Sequence, residues 1–296
     1  MRRLSFLFIV NPVAGKGNGD KIIPLIEEVM KEYHCTYEIR KTEKVGEGKR
    51  IAEEARHTDF STIVSVGGDG TLHEVINGMV GSKQKLGIIP AGTGNDFART
   101  LNLPRDIRES IESLVKGNSM MIDLGKINKE YFINISSIGL DALIADETNR
   151  IKKYFSSTYS YVIGTIKSLI NFKSFKTKLV IDDAIYEEEI MLAAVCNGSY
   201  YGGGMKISPK SSFSDGEFDI CIVRKMPKLK LLFLLPTIFK GNHVKFKEVK
   251  FYKGKNIEFL MENGKKKEKI NADGEILDLY PIQFEMINNA IEVVIP

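Results

Sequence analysis

The carboxylates best suited to chemistry stand beside glycines at three separate points in the chain. Asp69 lies in the glycine-rich stretch Gly67–Thr71, Asp215 lies in the sequence SDGE, and Asp273 and Glu275 flank a single glycine. Because glycine has no Cβ, the backbone at such a turn can approach a bound phosphate closely. A nearby carboxylate can then hold a hard cation such as Mg²⁺ or accept a proton. These residue types point to chemistry on a phosphate group.

The residues around Asp69 predict a strand, a turn and a helix in direct succession. Thr62–Val66 is a short β-branched apolar run, which is typical of a buried parallel strand, and Leu72–Met79 has apolar residues at helical spacing. This layout directs backbone N–H groups and a helix N-terminus towards a phosphate. The same pattern also fits an ordinary strand-to-helix turn in which Asp69 only caps the helix.

The other two carboxylate groups each allow two interpretations. Asp215, Glu217 and Asp219 surround a glycine on a turn that enters a strand, and such alternating acids can hold a hard cation. An ordinary solvated Asp-Gly turn fits these residues better when the sequence alone is considered. Asp273 and Glu275 could position a general base, but they also suit a simple turn.

The first third of the chain repeats the strand-turn-helix pattern and predicts a doubly wound parallel sheet. Ser5–Val10 is an apolar strand followed by the loop NPVAGKG, which carries Lys16, and Thr36–Thr42 alternates like a strand. Leu86–Ile89 precedes a second glycine turn, PAGTGND. Because loops after parallel strands emerge at one sheet edge, these turns should meet around Asp69. Three glycine turns and a lysine at one edge would cradle a phosphate.

The second glycine turn also predicts the start of a short helix. Asn95 or Asp96 is expected to cap it, and Phe97 and Leu101 are its inward-facing residues. The loop that carries Lys16 lacks the serine or threonine that a Walker A motif requires after its lysine, and its glycines do not form a GxGxxG fingerprint. The nucleotide site is therefore expected to be neither a P-loop nor a dinucleotide-binding turn.

Composition excludes several other classes of protein. A net charge of +4 is too small to indicate nucleic-acid binding by itself, and no nucleic-acid partner is expected. The three cysteines have no CxxC spacing, and the four histidines share no i, i+4 spacing, so neither disulfides nor a zinc site is predicted. No secretory signal or bilayer-spanning run is found, which indicates a cytoplasmic protein that could touch the inner membrane face transiently.

The remainder of the chain is rich in short strands and predicts an antiparallel β-sandwich. The domain boundaries are expected at 1–126 for the α/β domain and 127–296 for the sandwich, with the active site in the cleft between them. The final residues are read as a hairpin joined around Asn288 and Asn289. Tyr159–Ile170 is expected to be an apolar helix, and residues 262–269 a solvated hairpin tip.

Lys225–Lys240 combines a cluster of leucines and phenylalanine with flanking lysines. It is too short to span a membrane and contains Pro236, so one interpretation is a segment that lies on an anionic bilayer surface. The alternative, which the sequence favours, is a helix packed over the β domain.

Six motifs follow one another along the chain: NPVAGKG, GGDGTLHEVINGM, PAGTGNDFART, CNGSYYGGGMKISP, SDGEFDICIV and DGE. With these motifs, nearly the whole chain resembles the diacylglycerol kinase catalytic family, most closely its bacterial soluble lipid kinases. GGDGT alone is shared with NAD kinases, whereas PAGTGNDFA and the late DGE are more specific. The resemblance implies a lipid kinase that uses ATP and Mg²⁺. It implies nucleotide and cofactor contacts at Asn11, Pro12, Val13, Ala14, Gly15, Lys16, Thr42, Gly67, Gly68, Asp69, Gly70, Thr71, Leu72, Thr93, Asn95 and Asp96.

The resemblance also implies individual roles for the acidic residues. Glu275 would take the proton from the lipid hydroxyl, Asp69 would reach the catalytic Mg²⁺, and Asp273 would support the metal and substrate network, as Asp96 and Asp123 would. Asp215 and the carbonyls of Ser212 and Glu217 would form a structural Mg²⁺ site. Only 21 residues follow Glu275, so little chain is expected to return to the first domain.

Diacylglycerol at the membrane surface is the expected acceptor, and phosphatidic acid the expected product. Another lipid alcohol, such as phosphatidylglycerol, a sphingoid base or an undecaprenol-like alcohol, is the main alternative. NAD kinase activity and a non-catalytic lipid- or nucleotide-binding regulator are further alternatives. An edge strand of the β domain could also pair two copies into a homodimer.

Overall fold

The computed structural model describes residues 4–151, 164, 167–169, 172–261 and 267–296. Its helices are α1 (Ala14–Glu32), α2 (Glu47–Ala55), α3 (Asp69–Met79), α4 (Asp96–Thr100), α5 (Ile107–Lys116), α6 (Leu140–Ile151) and α7 (Lys228–Ile238). Its strands are β1 (Ser5–Val10), β2 (Thr36–Lys41), β3 (Thr62–Gly67), β4 (Lys85–Pro90), β5 (Asn118–Ile127), β6 (Glu130–Phe132), β7 (Ile135–Gly139), β8 (Phe175–Ile181), β9 (Ala184–Cys196), β10 (Phe218–Arg224), β11 (Val249–Gly254), β12 (Asn256–Met261), β13 (Glu268–Ala272), β14 (Glu275–Leu279) and β15 (Ile282–Ile295). Most of the predicted Tyr159–Ile170 helix and 262–269 tip lies outside the described residues.

The first part of the chain forms the predicted parallel sheet, with strand order β2-β1-β3-β4. Side chains on β1 alternate between its two faces, as period-2 geometry requires. Phe6 and Phe8 are fully buried in a cluster with α1 and α5, while Leu7 and Ile9 are fully buried in a cluster with α2 and α3. Helices therefore cover both faces, and the sequence prediction of a doubly wound α/β domain is confirmed.

The second part forms the predicted antiparallel β-sandwich. Its inner core joins large side chains such as Phe132, Phe218 and Phe259. The outer face of β9 and β10 is covered by α6 and α7, whose buried residues include Leu231, Leu234 and Ile238. The packed interpretation of Lys225–Lys240 is thus confirmed for one face of α7. No helix of the described residues is both long enough and apolar enough to cross a bilayer.

The last strand corrects two predictions about the chain terminus. β15 is one strand rather than a hairpin, with an irregularity in its pairing between Ile287 and Ile291. Asn289 adopts a left-handed conformation there, and its N–H donates to Asp123 Oδ1 at 2.8 Å. This contact anchors a bulge instead of a reversal, because β5 offers β15 a partner edge on both sides of it.

β15 also returns to the first domain, although only 21 residues follow Glu275. Its first half pairs with β12 of the sandwich, and Val293 pairs with Leu86 of β4 in parallel. An extended strand advances about 3.3 Å per residue, so even a short tail spans both parts of the molecule. The expectation of little return was wrong, and the two parts share one continuous sheet of fifteen strands within the described residues.

Candidate active site

The glycine turns predicted to meet at one sheet edge do pack against each other. A Cβ added to Gly92 would lie 2.3 Å from the Cα of Gly68, and a Cβ added to Gly15 would lie 2.2 Å from the carbonyl oxygen of Ala91. No side chain tolerates such distances. Glycine is therefore required because the backbones of three turns touch, which places the Lys16 loop, the Asp69 turn and the PAGTGND turn side by side.

Asp69 is the first residue of α3, and its carboxylate reaches the neighbouring turn. Its Oδ1 accepts a hydrogen bond from the backbone N–H of Asp96 at 2.7 Å, so Asp69 caps α4 from another element. The expected cap by Asn95 or Asp96 was wrong. Asn95 instead closes its own turn, with its side chain accepting from and donating to the backbone of Gly92.

Asp69 and Asp96 form a partly buried pair of acids. Burial and the nearby charge of Asp96 raise the pKa of Asp69 from its ordinary value of 3.8 to about 6. Burial likewise raises the pKa of Asp96, although the amide of Gly203 and the charge of Arg99 oppose it. Arg99 Nη1 lies 3.0 Å from Asp96 Oδ1. The pair thus carries more negative charge than its surroundings neutralise.

This charge excess fits a divalent cation. Mg²⁺ is usually held by one or two carboxylates together with substrate phosphates and water. Among the residues described, no three His, Cys, Asp or Glu side chains are placed to hold a metal by themselves. Asp69 and Asp96 are the residues that would hold Mg²⁺ here, with the phosphates supplying further oxygens.

Asp273 is fixed by backbone amides that lie far earlier in the same part of the molecule. Its carboxylate accepts from the N–H groups of Ile133 at 2.7 Å, Asn134 at 3.0 Å and Ile135 at 3.1 Å. The buried His73 places Nδ1 3.7 Å from Asp273 Oδ2. Burial opposes protonation of His73, but Asp273, with help from other carboxylates, outweighs it and raises the pKa of His73. Both carboxylate oxygens of Asp273 therefore accept hydrogen bonds, and these bonds fix the turn that joins β13 to β14.

Glu275 is the exposed acid at the end of that turn. Asp273 and Gly274 both have positive φ, which makes a tight connection between β13 and β14 and turns Glu275 towards the first domain. Glu275 Oε1 lies 3.6 Å from where a Cβ on Gly70 would stand. A glutamate from the second part of the chain thus faces the Asp69 turn of the first.

These groups surround a cavity of about 690 Å³ between the two parts of the molecule. Its lining includes the carboxylates of Asp69, Asp96 and Glu275 as well as apolar side chains such as Ile144 and Phe239. The residues lining it are Gly68, Asp69, Gly70, Leu72, Thr93, Gly94, Asp96, Ile133, Asn134, Ile135, Asp141, Ile144, Ala145, Thr148, Tyr201, Gly202, Gly203, Met205, Phe239, Asn271, Asp273, Gly274 and Glu275. The structure therefore has a cavity where the cleft was predicted, and the meeting of ATP and lipid in it stays a prediction.

The other predicted nucleotide contacts lie at the same sheet edge but outside this cavity wall. Asn11 donates from Nδ2 to Thr71 Oγ1 at 3.1 Å, and the backbone N–H of Thr42 donates to Val10 at 2.8 Å. Those outside the wall are Asn11, Pro12, Val13, Ala14, Gly15, Lys16, Thr42, Gly67, Thr71 and Asn95. Their contacts with ATP stay predictions.

Several residues of the site were not found from the sequence. Asp141 is buried at the cavity wall and accepts from Ser137, Tyr201 and Asn271. Burial raises the pKa of Asp141, and these three donors oppose the shift. In the sequence Asp141 is a single acid at the start of a helix, and nothing distinguishes it from the other acids of the chain. Only the folded chain brings its donors together.

Asn77 was also missed, and it joins the two parts of the molecule. Its side chain donates to the carbonyl of Tyr131 and accepts from the N–H of Tyr131, each at 2.9 Å. Asn77 lies one helical turn after His73, on the same face of α3. That i, i+4 pair of polar residues on a largely buried helix was the available signal.

The predicted structural Mg²⁺ site is arranged around a lysine instead. Lys253 Nζ lies 2.9 Å from Asp215 Oδ2 and 3.9 Å from both Glu217 Oε2 and Asp219 Oδ2. Asp123 is occupied as well, since its two oxygens accept the amides of Gly216 and Asn289, each at 2.8 Å. The Lys253 ammonium thus supplies positive charge at this turn, and the Mg²⁺ site predicted at Ser212, Asp215, Glu217 and Asp123 stays a prediction.

Lys253→Gln should therefore lower stability at this turn. Loss of the ammonium would leave Asp215, Glu217 and the buried Asp219 facing each other, at a cost of about 1–2 kcal/mol in unfolding free energy. Urea unfolding at pH 7.5 measures it. Adding Mg²⁺ should raise the variant's midpoint more than that of the unaltered protein, because only the variant lacks the internal cation. Equal Mg²⁺ responses in both would show that Lys253 and the metal do not compete.

Comparisons with known proteins agree with this arrangement. Residues 5–127 match the diacylglycerol kinase catalytic domain, and residues 134–295 match the YegS C-terminal NAD kinase beta sandwich-like domain. The chain is 31% identical over 292 residues to a protein named diacylglycerol kinase from Staphylococcus epidermidis, covering 97% of this chain and 91% of that protein. It is 30% identical to one from Bacillus subtilis over 292 residues, covering 97% and 95%.

Solved structures give the same result for the fold. A crystal structure of a diacylglycerol kinase from Bacillus anthracis superimposes with a TM-score of 0.75 at 25% identity, covering all of this chain and 98% of that one. Another from the same organism, assigned provisionally to that class, has a TM-score of 0.84 at 28% identity and covers 100% and 96% of the two chains. The resemblance seen in the motifs is thus confirmed along the whole length, and the chain belongs to the diacylglycerol kinase family, as an enzyme of the lipid kinase type.

Proposed function

We propose that this enzyme transfers the γ-phosphate of ATP, with Mg²⁺, to the free hydroxyl of diacylglycerol and releases phosphatidic acid and ADP. One observation carries the proposal. Glu275 faces the Asp69–Gly70 turn at a cavity that both carboxylates and apolar side chains line. Phosphoryl transfer needs its two reactants aligned and its developing charge stabilised, with a base for the attacking hydroxyl.

The first domain supplies the phosphate end. Backbone N–H groups of the turns at Gly68–Gly70 and Thr93–Gly94 border the cavity, and the N-terminus of α3 opens there. Mg²⁺ bound with the nucleotide would neutralise phosphate charge beside Asp69 and Asp96. Asp69 and Asp96 would hold the metal, and the positive end of α3 would favour the phosphates beside it.

The second domain supplies the acceptor end. As the lipid hydroxyl oxygen forms its bond to the γ-phosphorus, the bond from that phosphorus to the β–γ bridging oxygen breaks and ADP leaves. The hydroxyl proton passes to a carboxylate oxygen of Glu275. Asp273 does not touch the substrate in this scheme. It positions Glu275 by anchoring the turn on the amides of Ile133–Ile135.

Apolar walls favour a lipid over NAD as the acceptor. Ile144, Met205 and Phe239 line the cavity and offer apolar contact to acyl chains, which NAD does not have. Diacylglycerol presents one primary hydroxyl beside two acyl chains, which matches an acid near an apolar wall.

Phosphate transfer from ATP to a panel of lipids in mixed micelles tests the proposal. We expect Mg²⁺-dependent product with diacylglycerol. Product only with phosphatidylglycerol, a sphingoid base or an undecaprenol-like alcohol would support phosphate transfer to a lipid but contradict diacylglycerol as the acceptor. Phosphorylation of NAD without any lipid product would overturn the proposal, and ATP or lipid binding without any product would indicate a regulator.

A further inference from the structure

Helix α7 has one buried face and one exposed apolar face. Leu231, Leu234 and Ile238 pack onto the sandwich and are at most 2% exposed. On the opposite side, Leu229 is 68% exposed, Leu232 42% and Phe233 69%. Positions i, i+3 and i+4 share one side of a helix, so these three side chains form a continuous apolar stripe in water. Isolated exposed apolar residues are common, but a stripe of this kind indicates a binding surface.

The charge around the stripe is of one sign. Residues 225–247 contain six lysines and no aspartate or glutamate, in a chain with 42 basic and 38 acidic residues overall. Two of these lysines are paired with acids from other elements, Lys225 with Glu189 and Lys230 with Glu248. Lys240, Lys245 and Lys247 are exposed and form no ion pair within the part of the chain that the structure describes. This surface complements an anionic partner.

The apolar surface continues from α7 to the cavity. Phe239 follows the last residue of α7, is 51% exposed, and lines the cavity together with Ile144 and Met205. A ligand with acyl chains could therefore pass between the stripe and the cavity without leaving apolar contact. A partner that only docks on α7 gains nothing from this continuity, whereas a bilayer holding a lipid substrate does.

We propose that α7 docks on the surface of an anionic lipid bilayer, with Leu229, Leu232 and Phe233 inserted among the acyl chains. The lysines at 240, 245 and 247 would lie at the headgroups. An amphipathic helix lying in the interface buries its apolar side at the headgroup boundary and gains from anionic lipids. The proposal rests on the proposed lipid kinase function in one respect, since it explains how the acceptor reaches the cavity.

Vesicle sedimentation without ATP tests the docking itself. The double variant Leu229→Asp/Phe233→Asp should bind vesicles of phosphatidylcholine and phosphatidylserine at least about tenfold more weakly. Ile185→Asp is the matched control, because Ile185 is 67% exposed on the β8–β9 hairpin and should bind within about twofold of the unaltered chain. The milder Leu229→Gln/Phe233→Gln tests whether any loss comes from unfolding of α7. Equal binding by all four proteins would overturn the proposal.

The electrostatic part has its own test. Lys240→Gln/Lys245→Gln/Lys247→Gln should lose most of the preference for phosphatidylserine over pure phosphatidylcholine vesicles, because each lysine near an anionic surface adds to binding. An unchanged preference would contradict the assignment of these lysines to the headgroups.

Turnover with a water-soluble, short-chain diacylglycerol separates the two proposals. Leu229→Asp/Phe233→Asp should keep turnover of this monomeric acceptor and lose turnover on vesicles, whereas Ile185→Asp should keep both. If no lipid is phosphorylated at all, the proposed function fails while the sedimentation result still decides docking. If sedimentation velocity shows the unaltered chain to be a dimer that Leu229→Asp/Phe233→Asp dissociates, and vesicles are not bound, the stripe is a contact between copies and docking is overturned.

Discussion

Glu275→Gln is expected to reduce turnover by roughly 10²–10⁴-fold while ATP binds as before. The glutamine keeps the size of the side chain beside Gly70 but has no carboxylate to accept the hydroxyl proton. Glu275 is exposed at the cavity and forms no contact on which the fold depends within the described residues, so stability should change by less than about 0.5 kcal/mol. Steady-state kinetics with diacylglycerol should show the loss in kcat and little change in KM for ATP.

Asp278→Asn is the matched control for this prediction. Asp278 lies on the same strand, β14, and its carboxylate is exposed and lies 3.9 Å from Lys269. Removing this charge should leave kcat within about twofold, because it lies outside the cavity between the domains. A Glu275→Gln enzyme with near-normal kcat would show that another group accepts the proton.

Asp69→Asn is expected to abolish activity and yet stabilise the nucleotide-free protein at neutral and alkaline pH. The pKa of Asp69 is about 6 in the folded chain and ordinarily 3.8, so the folded chain binds this proton more tightly than the unfolded chain. The resulting contribution to stability is complete below about pH 4 and is lost as pH rises through 6. Asparagine is neutral at every pH and can still accept the N–H of Asp96 through Oδ1.

Urea unfolding without nucleotide measures the effect. At pH 8 the variant should be about 1–2 kcal/mol more stable than the unaltered protein. A rise of the Asp69 pKa from 3.8 to about 6 corresponds to roughly 3 kcal/mol, and the value is reduced because Asp69 is only partly buried. At pH 4 the two proteins should differ by less than about 0.5 kcal/mol. A variant that is less stable at pH 8 would show that Asp69 serves mainly as the helix cap.

Such an exchange of stability for activity is expected of residues arranged for a ligand rather than for the fold. Asp69 and Asp96 repel each other, and Mg²⁺ with phosphate would relieve that repulsion. Mg²⁺ and ATP together should therefore stabilise the unaltered protein more at pH 8 than at pH 5.5. Differential scanning fluorimetry checks this directly, and Asp69→Asn should lose the dependence on pH.

The sequence by itself determined the architecture of the first domain and which of its turns meet at the sheet edge. Alternating strands and helices allow one regular solution, a parallel sheet with right-handed crossovers, and that solution brings every loop after a strand to one edge. The meeting of the Lys16 loop, the Asp69 turn and the PAGTGND turn follows from this rule. So does the need for Gly92, because a turn that touches another backbone has no room for a Cβ.

Only the tertiary structure decided contacts between residues far apart in the chain. Asp273 accepts hydrogen bonds from backbone amides about 140 positions earlier. Lys253 places its positive charge at the turn where a metal was predicted, because it lies opposite Asp219 in the pairing of β10 with β11. β15 spans both domains because it pairs with β12, β4 and β5. The edges of these strands are available only after the sheets that contain them have formed. Local patterns specify which face of an element is apolar, as on α7, but which partner covers that face is set by packing between distant parts of the chain.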